Sequence, residues 1–577
     1  MFKNLLPRIR EYKKLALVTP ILMVGEVAME VLIPFLMSLI VDNGIAKGDL
    51  SYVFTTSGLL VAASLLSLAF GVAAAQTASR ASAGFAKNLR HDLFDKILSF
   101  SFSNIDDFSP SSLITRMTTD VQNVQQAFQM TIRICFRAPI MFIFAILMVI
   151  KNGGSLAFVF AVSIPVVAIG VYVLVKSAYP IFGKVFKSYD VLNRNTQENL
   201  TNIRTVKAYV REDEEIRKFN ESSETIKNFF VKAQKIMILS SPLMMIVTYV
   251  CLGFLSYFGA GLIANGTIGT GTLMSVFSYT MQILSSLMMI AMIIVMFATC
   301  KASITRIVEV LETKPGMDEN DEGVKEVKNG DISFEHVYFS YGDEGSHCLD
   351  DINLDIKNGE TIGIMGTTGS GKSTLVSLIA RLYDIDKGSL KIGGVEARDY
   401  NLKALRDSVA IVLQKNQLFS GTVRSNLAWG NENATEEEMM EALKNSNADF
   451  IFTQKDGLDS TVEQGGNNFS GGQKQRLCIA RALLKKPKVI IFDDSTSAVD
   501  TATDIQIRNA LKENVKDCTK IIISQRVSSI WDADQIVILS DGKIEQVGKH
   551  EELLATNEGY KQLWIAQQKN KDEEGEV

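Results

Sequence analysis

The run Gly366-Thr367-Thr368-Gly369-Ser370-Gly371-Lys372-Ser373-Thr374 follows the apolar stretch Thr361 to Met365 and precedes a helix-forming segment, Leu375 to Leu382. Its spacing, G-x-x-x-x-G-K-S, is that of a loop whose glycines let backbone N–H groups wrap phosphate oxygens at a helix N-terminus. Lys372 is placed to reach the β and γ phosphates of a nucleotide, and Ser373 to ligate Mg²⁺. A second apolar run, Val489 to Phe492, ends in the carboxylate pair Asp493-Asp494. Asp493 is the acidic partner that a Mg²⁺ shell requires. Between these runs, Ser470-Gly471-Gly472-Gln473 sets a glycine pair after a serine at a helix start, another geometry that receives anions. One chain needs one phosphate cradle, so Ser470 to Gln473 point to nucleotide held by another subunit.

The elements that must carry these loops fall in the second half of the chain. From Ile332 onward β-rich runs alternate with helical ones, as in an α/β ATPase domain spanning 331–568. A polar stretch with Pro315 and Gly316 forms an expected linker, 312–330, and the charged residues 569–577 an expected disordered tail. The first half, 1–311, reads as an α-helical membrane domain. Of the 577 residues 47% are hydrophobic, and six apolar stretches match the roughly 20 residues that cross a hydrocarbon core: Leu15 to Ile40, Tyr52 to Ala78, Met130 to Ile150, Leu156 to Val175, Ile236 to Ala264 and Thr272 to Cys300. Connections after the second and fourth are long, helical in pattern and rich in Arg and Lys, so they, both termini and the ATPase domain are expected in the cytosol of a plasma-membrane protein. Lys3, Arg8, Arg10, Lys13 and Lys14 flank the first span as a retained anchor, not a signal peptide. A net charge of −5 argues against nucleic acid as a partner. The six cysteines have neither C-x-x-C spacing nor neighbouring histidines, which excludes a readable metal site or disulfide framework.

Together these motifs resemble the ATP-binding cassette (ABC) family, and the six-span half resembles its exporter branch. The resemblance implies that Tyr341 stacks on adenine, that Gln414 lies near Mg²⁺ and the membrane domain, and that Ser470 to Gln473 are the signature motif closing on a partner's ATP. It also implies that Ser497 to Asp500 cross the dimer interface, and that segments Phe100 to Ser109 and Arg204 to Glu215 are coupling helices. Two residues depart from the family pattern. Asp494 replaces the glutamate that acts as catalytic base, and Gln525, in Ile523-Ser524-Gln525-Arg526, replaces a switch histidine. A carboxylate withdrawn by ~1 Å costs up to ~10²-fold in rate, and a neutral amide takes up no proton. The pattern resembles the degenerate-site subunit of bacterial heterodimeric multidrug exporters, which implies a second, different half-transporter as partner. The alternative is a slow homodimer.

In the first span Glu26 and Glu30 lie on one helical face, placed either to meet a cationic substrate or to pair with Arg133 and Arg137 of the third. Met274, Met281, Met288, Met292 and Met296, with Phe277 and Gln282, give the sixth span either a promiscuous apolar surface or ordinary packing. The expected function is one half of an ATP-driven exporter of hydrophobic or amphipathic compounds. A lipid flippase and an ATP-gated regulator or channel subunit are the alternatives.

Overall fold

The computed structural model describes residues 5–342, 348–494 and 501–574. The chain forms two compact units, one of Met1–Leu98 with Pro110–Thr313, the other of Ser99–Ser109 with Lys314–Val577.

The first unit is helical throughout, because a lipid-exposed backbone must satisfy its polar groups internally. Its long helices are α1 (Lys13–Leu39) and α2 (Leu50–Leu98), and the short α3 (Phe102–Asp107) follows α2 but belongs by its contacts to the other unit. Next come α4 (Val121–Gly153), α5 (Phe158–Thr201), the short α6 (Ile203–Ala208), α7 (Glu212–Ile238), α8 (Ser240–Ala264) and α9 (Thr270–Glu312). Among the described residues five helical stretches are long and apolar enough to cross a membrane, and one of them, Pro110–Thr201, holds both α4 and α5. The chain reverses there at Gly154, whose φ of 53° suits glycine. The expected fifth span is interrupted at Leu239, where Pro242 has no N–H to give to the Ile238 carbonyl. As the helical patterns after the second and fourth spans indicated, α2 and α5 run well past their apolar stretches, to 49 and 44 residues, and α9 reaches 43.

The centre of this unit packs Val27 and Val31 of α1, Met141 and Ala145 of α4, Leu255 of α8, and Val276, Tyr279 and Ile283 of α9. The buried Tyr279 hydroxyl donates to the Val31 carbonyl at 3.0 Å. At one end, Asp42 caps α9 from across the bundle, accepting from Gly271 N at 2.6 Å and Thr272 N at 2.8 Å. Elsewhere Arg306 of α9 donates through Nε to the buried Asp120, just before α4, at 2.8 Å.

The second unit carries two main sheets. β1 (Ile332–Phe339) pairs antiparallel with β2 (Leu349–Ile356) and β4 (Lys387–Ile392). The larger sheet has β3 (Thr361–Gly366), β5 (Val409–Val412), β6 (Val489–Asp493), β7 (Thr519–Ile523), β8 (Gln535–Ser540) and β9 (Lys543–Gly548), in the order β9-β8-β3-β7-β6-β5. All its neighbours are parallel except the edge strand β9. The near-continuous apolar β3, β6 and β7 are those of a sheet covered on both faces, with every residue of β7 buried. Among the unit's helices are α10 (Lys372–Ile379), α11 (Gly471–Leu484), α12 (Thr501–Asn514), α13 (His550–Thr556) and α14 (Glu558–Glu574).

Two segments differ from expectation. From Lys314 the supposed linker lies on the soluble unit, with Val324 N donating to Asp399 O at 2.9 Å and Val324 O accepting from Asn401 N at 3.0 Å. The supposed disordered tail continues α14 as far as Glu574. Charge composition pointed to solvent, but the helix is already fixed upstream by Tyr560, which is buried.

Candidate functional site

Strand register brings the dispersed motifs together. Ile523 pairs with both Asp493 and Ile364, and Val412 with Phe492, so β3, β5, β6 and β7 finish at one edge of the sheet. Ligands bind at this carboxyl edge in parallel α/β sheets. The loops leaving it carry Gly366 to Lys372, Gln414, Asp494 and Gln525. Asp494 N donates to Ile523 O at 3.1 Å and Ser524 N to Ile364 O at 3.2 Å, extending the ladder into the site.

The phosphate loop needs its glycines. Gly371 enters α10 with φ 96°, and a Cβ on Gly366 would stand 2.1 Å from the Leu539 carbonyl. Lys372 Nζ donates to Gly366 O at 2.9 Å and Thr367 O at 2.6 Å, so its ammonium sits at the mouth of the loop. Burial holds its pKa below the ordinary lysine value, against the opposing pull of Asp493 and Asp494. Ser373 Oγ donates to Asp493 Oδ1 at 3.0 Å. Burial raises the Asp493 carboxyl, and Asp494 beside it adds to that rise, while Ser373 counters it. These hard oxygens fit Mg²⁺, which takes one or two carboxylates and completes its shell with phosphate and water.

Asp494 has a left-handed backbone, φ 45°, a conformation aspartate tolerates better than most residues. Its carboxylate is raised chiefly by burial, with opposing contributions from Gln414, Arg526 and Lys372. Gln414 Nε2 lies 3.4 Å from Asp494 Oδ2, and the side chains of Gln414 and Gln525 are both exposed. Tyr341 is half exposed and donates to Thr374 Oγ1 at 3.2 Å, which fixes its ring beside the phosphate-loop helix. Ser470 and Gln473 form a reciprocal cap on α11: Ser470 N donates to Gln473 Oε1 at 2.9 Å and Gln473 N to Ser470 Oγ at 3.3 Å. Gly471 is exposed at that helix start. Ser497 to Asp500 lie outside the described residues.

The family models agree with this arrangement. One described as the ABC transporter transmembrane region matches residues 17–299, and one described as ABC transporter matches 349–497. An uncharacterized ABC transporter ATP-binding protein, YfiB, of Bacillus subtilis (strain 168) is 36% identical over 97% of both chains. The chain belongs to the ABC transporter family. This transporter is also 30% identical, over 97% of both chains, to a protein named ATP-dependent lipid A-core flippase from Pectobacterium atrosepticum. Its fold is that of a bacterial Atm1-family ABC exporter solved with ATP bound, at TM-score 0.83 and 23% identity, covering 96% of this chain and 99% of the other. A helical membrane domain thus precedes an ABC ATPase domain that binds ATP and drives transport.

Sequence reasoning left two parts of the transporter unseen and one undecided. Tyr383 hydroxyl donates to Asp106 Oδ2 of α3 at 2.7 Å, and its ring lies 6.0 Å from Phe102 and 5.1 Å from Tyr341. Asn104 of the same helix donates to Lys314 O at 3.2 Å and accepts Gly316 N at 2.8 Å. An aromatic path thus leads from α3 to Tyr341. The second part concerns the acids of α1. Arg137 donates to both carboxylates, to Glu26 in a short ion pair and to Glu30 Oε2 at 2.7 Å. Of the two roles open to Glu26 and Glu30, the structure contains the ion pair with α4, while Arg133 is half-buried. On α9, Met274, Met281 and Met292 are exposed on the unit's surface and Met288 and Met296 half-buried. The third part is Gln567, considered below.

Proposed function

We propose that the transporter is one half of an exporter that moves hydrophobic or amphipathic compounds out of a bacterial cytosol beside a second, different half-transporter. The joint departure at Asp494 and Gln525, two loops at one sheet edge beside a complete phosphate loop, carries this reading. Ser373, Asp493 and Gln414 would hold the Mg²⁺ of MgATP, which would supply positive charge against the phosphates. Gly366 to Ser370 wrap the phosphates, Lys372 turns from its carbonyl partners to them, and Tyr341 stacks on the base. Asp494 is too short and Gln525 too weakly basic to activate water well, so ATP here is held more than hydrolysed. Ser470 to Gln473 close on the nucleotide of the partner, whose own base completes a competent site. Closure reaches the spans through α3, gripped by Tyr383, and through α6, which has no buried residue in its own unit and docks on the partner's cassette. The basic loops after the second and fourth spans support a plasma-membrane topology with both termini and the ATPase domain in the cytosol.

Purified alone in nanodiscs, the chain is expected to bind ATP and turn it over slowly. Brisk turnover by the homomer would overturn the two-subunit reading. The relative named as a lipid A-core flippase favours lipids as a second substrate class. ATP-dependent accumulation of an amphipathic dye in inverted vesicles supports the first class. Lipid translocation in proteoliposomes without dye transport supports the second, and ion conductance without either rejects both.

A further inference from the structure

The loop that carries Gln525 is held from outside the site by one side chain. Gln567 of α14 donates through Nε2 to Gln525 O at 3.0 Å and accepts Val527 N through Oε1 at 2.9 Å. A carbonyl can only accept and an amide N–H only donate, so both ends of the carboxamide are assigned by their partners. The two bonds span Arg526 and fix the backbone on either side of it.

The helix that presents Gln567 is itself anchored. Tyr560, Trp564 and Gln567 recur at the spacing of one helical face. His550 Nδ1 lies 2.7 Å from the Tyr560 hydroxyl, and the His550 ring stands edge-on to Trp564 at 4.8 Å and to Trp531 at 6.3 Å. Trp531 N in turn donates to Val527 O at 2.9 Å. Gly366, Thr367, Gln525 and Gln567 line one cavity of about 910 Å³, so the grip is applied beside the phosphate loop.

We propose that Gln567 is a positioning residue for nucleotide turnover, a carboxamide clamp from the C-terminal helix that sets where Gln525 faces the γ-phosphate. The inference rests on that role of Gln525, so one readout tests the clamp without it. In the full-length chain, Gln567→Ala should speed hydrogen exchange in the peptide around Val527 by about 5–10-fold, the worth of one backbone hydrogen bond, with exchange in β3 unchanged. ATP turnover, read across pH 5.5–8.5, should fall about 3–10-fold in kcat with KM for ATP within about twofold. Gln567→Glu should match the alanine variant at pH 8, where a carboxylate cannot donate to Gln525 O. In hydrogen exchange at pH 4, below the ~4.3 of an ordinary glutamate, its protonated acid again donates and accepts and should restore protection toward wild type. Unchanged exchange at Val527 in Gln567→Ala overturns the clamp. Accelerated exchange with kcat unaltered, or with Gln567→Glu showing no acid recovery relative to wild type, leaves a stability contact and overturns the positioning role.

Discussion

Replacing Asp494 by glutamate and Gln525 by histidine asks whether the two departures limit the site they occupy. The Asp494 carboxylate reaches Gln414 only at 3.4 Å, beyond the usual ~2.7–3.2 Å of a hydrogen bond. One added methylene advances it by about 1.3 Å. A misplacement of ~1 Å costs about 10²-fold, and a positioned general base supplies about 10²–10⁴-fold. Discounting for the left-handed backbone at 494, which suits aspartate better than glutamate, Asp494→Glu alone should raise kcat about tenfold and the double variant about 30–100-fold. KM for ATP should stay within about threefold, because the contacts of Lys372 and the phosphate loop are untouched. The assay is steady-state phosphate release from the full-length chain in nanodiscs with saturating Mg²⁺, with Asp494→Asn in parallel. If the double variant turns over within twofold of wild type, or Asp494→Asn is as active as wild type, Asp494 is not what limits this site and the argument for an unlike partner loses its footing.

Arg137→Met should lower the melting temperature in detergent by the equivalent of about 2–3 kcal/mol. That is less than the ~3–5 kcal/mol of a fully buried pair, because the side chains of Arg137 and Glu30 remain 22% and 33% exposed. Adding Glu26→Gln and Glu30→Gln should recover most of the loss, and an unshifted melt for Arg137→Met means the pairing contributes nothing. Asp106→Ala and Tyr383→Phe should each reduce transport per ATP hydrolysed, with a double-mutant coupling of about 1 kcal/mol after allowance for their partial exposure; strictly additive effects would dissolve the proposed path. Burial holds the His550 imidazole below its ordinary pKa against the opposing Glu551, and raises the Tyr560 phenol to about 12. The neutral ring's stabilisation is therefore complete above the unfolded value of about 6.5 and is lost as pH falls through the depressed folded value. Wild type should lose more melting temperature between pH 7.5 and 5.5 than His550→Gln does, and equal losses refute the assignment.

What could be read from the residue order follows from the range of each interaction. The phosphate loop is a contiguous motif with fixed glycine spacing, so Gly366 to Ser373 were legible, and hydropathy alone located the membrane helices. Glu26 and Glu30 could be placed on one face of α1, but whether Arg133 or Arg137 meets them depends on how α1 and α4 are rotated against each other. Tyr383 meets Asp106 across 277 residues, and no local pattern marks either. The same holds for Gln567, whose partners Val527 and Gln525 lie 40 and 42 residues away. At Leu239 the reason is backbone geometry, since Pro242 stands plainly in the sequence but whether it breaks the helix or is absorbed within it depends on the local backbone.

The placement of Ser99–Ser109 with the soluble unit bears on how ABC ATPase domains are studied in isolation. A fragment beginning at Lys314 would lack Asn104, which secures its first residues, and Phe102 and Asp106, which cover Tyr383. Its nucleotide pocket would open onto water on a side where the intact chain supplies its own cover. Rates measured on such a fragment would describe a protein altered around Tyr383 and Tyr341, and supplying the 99–109 peptide in trans should shift them back toward those of the intact chain.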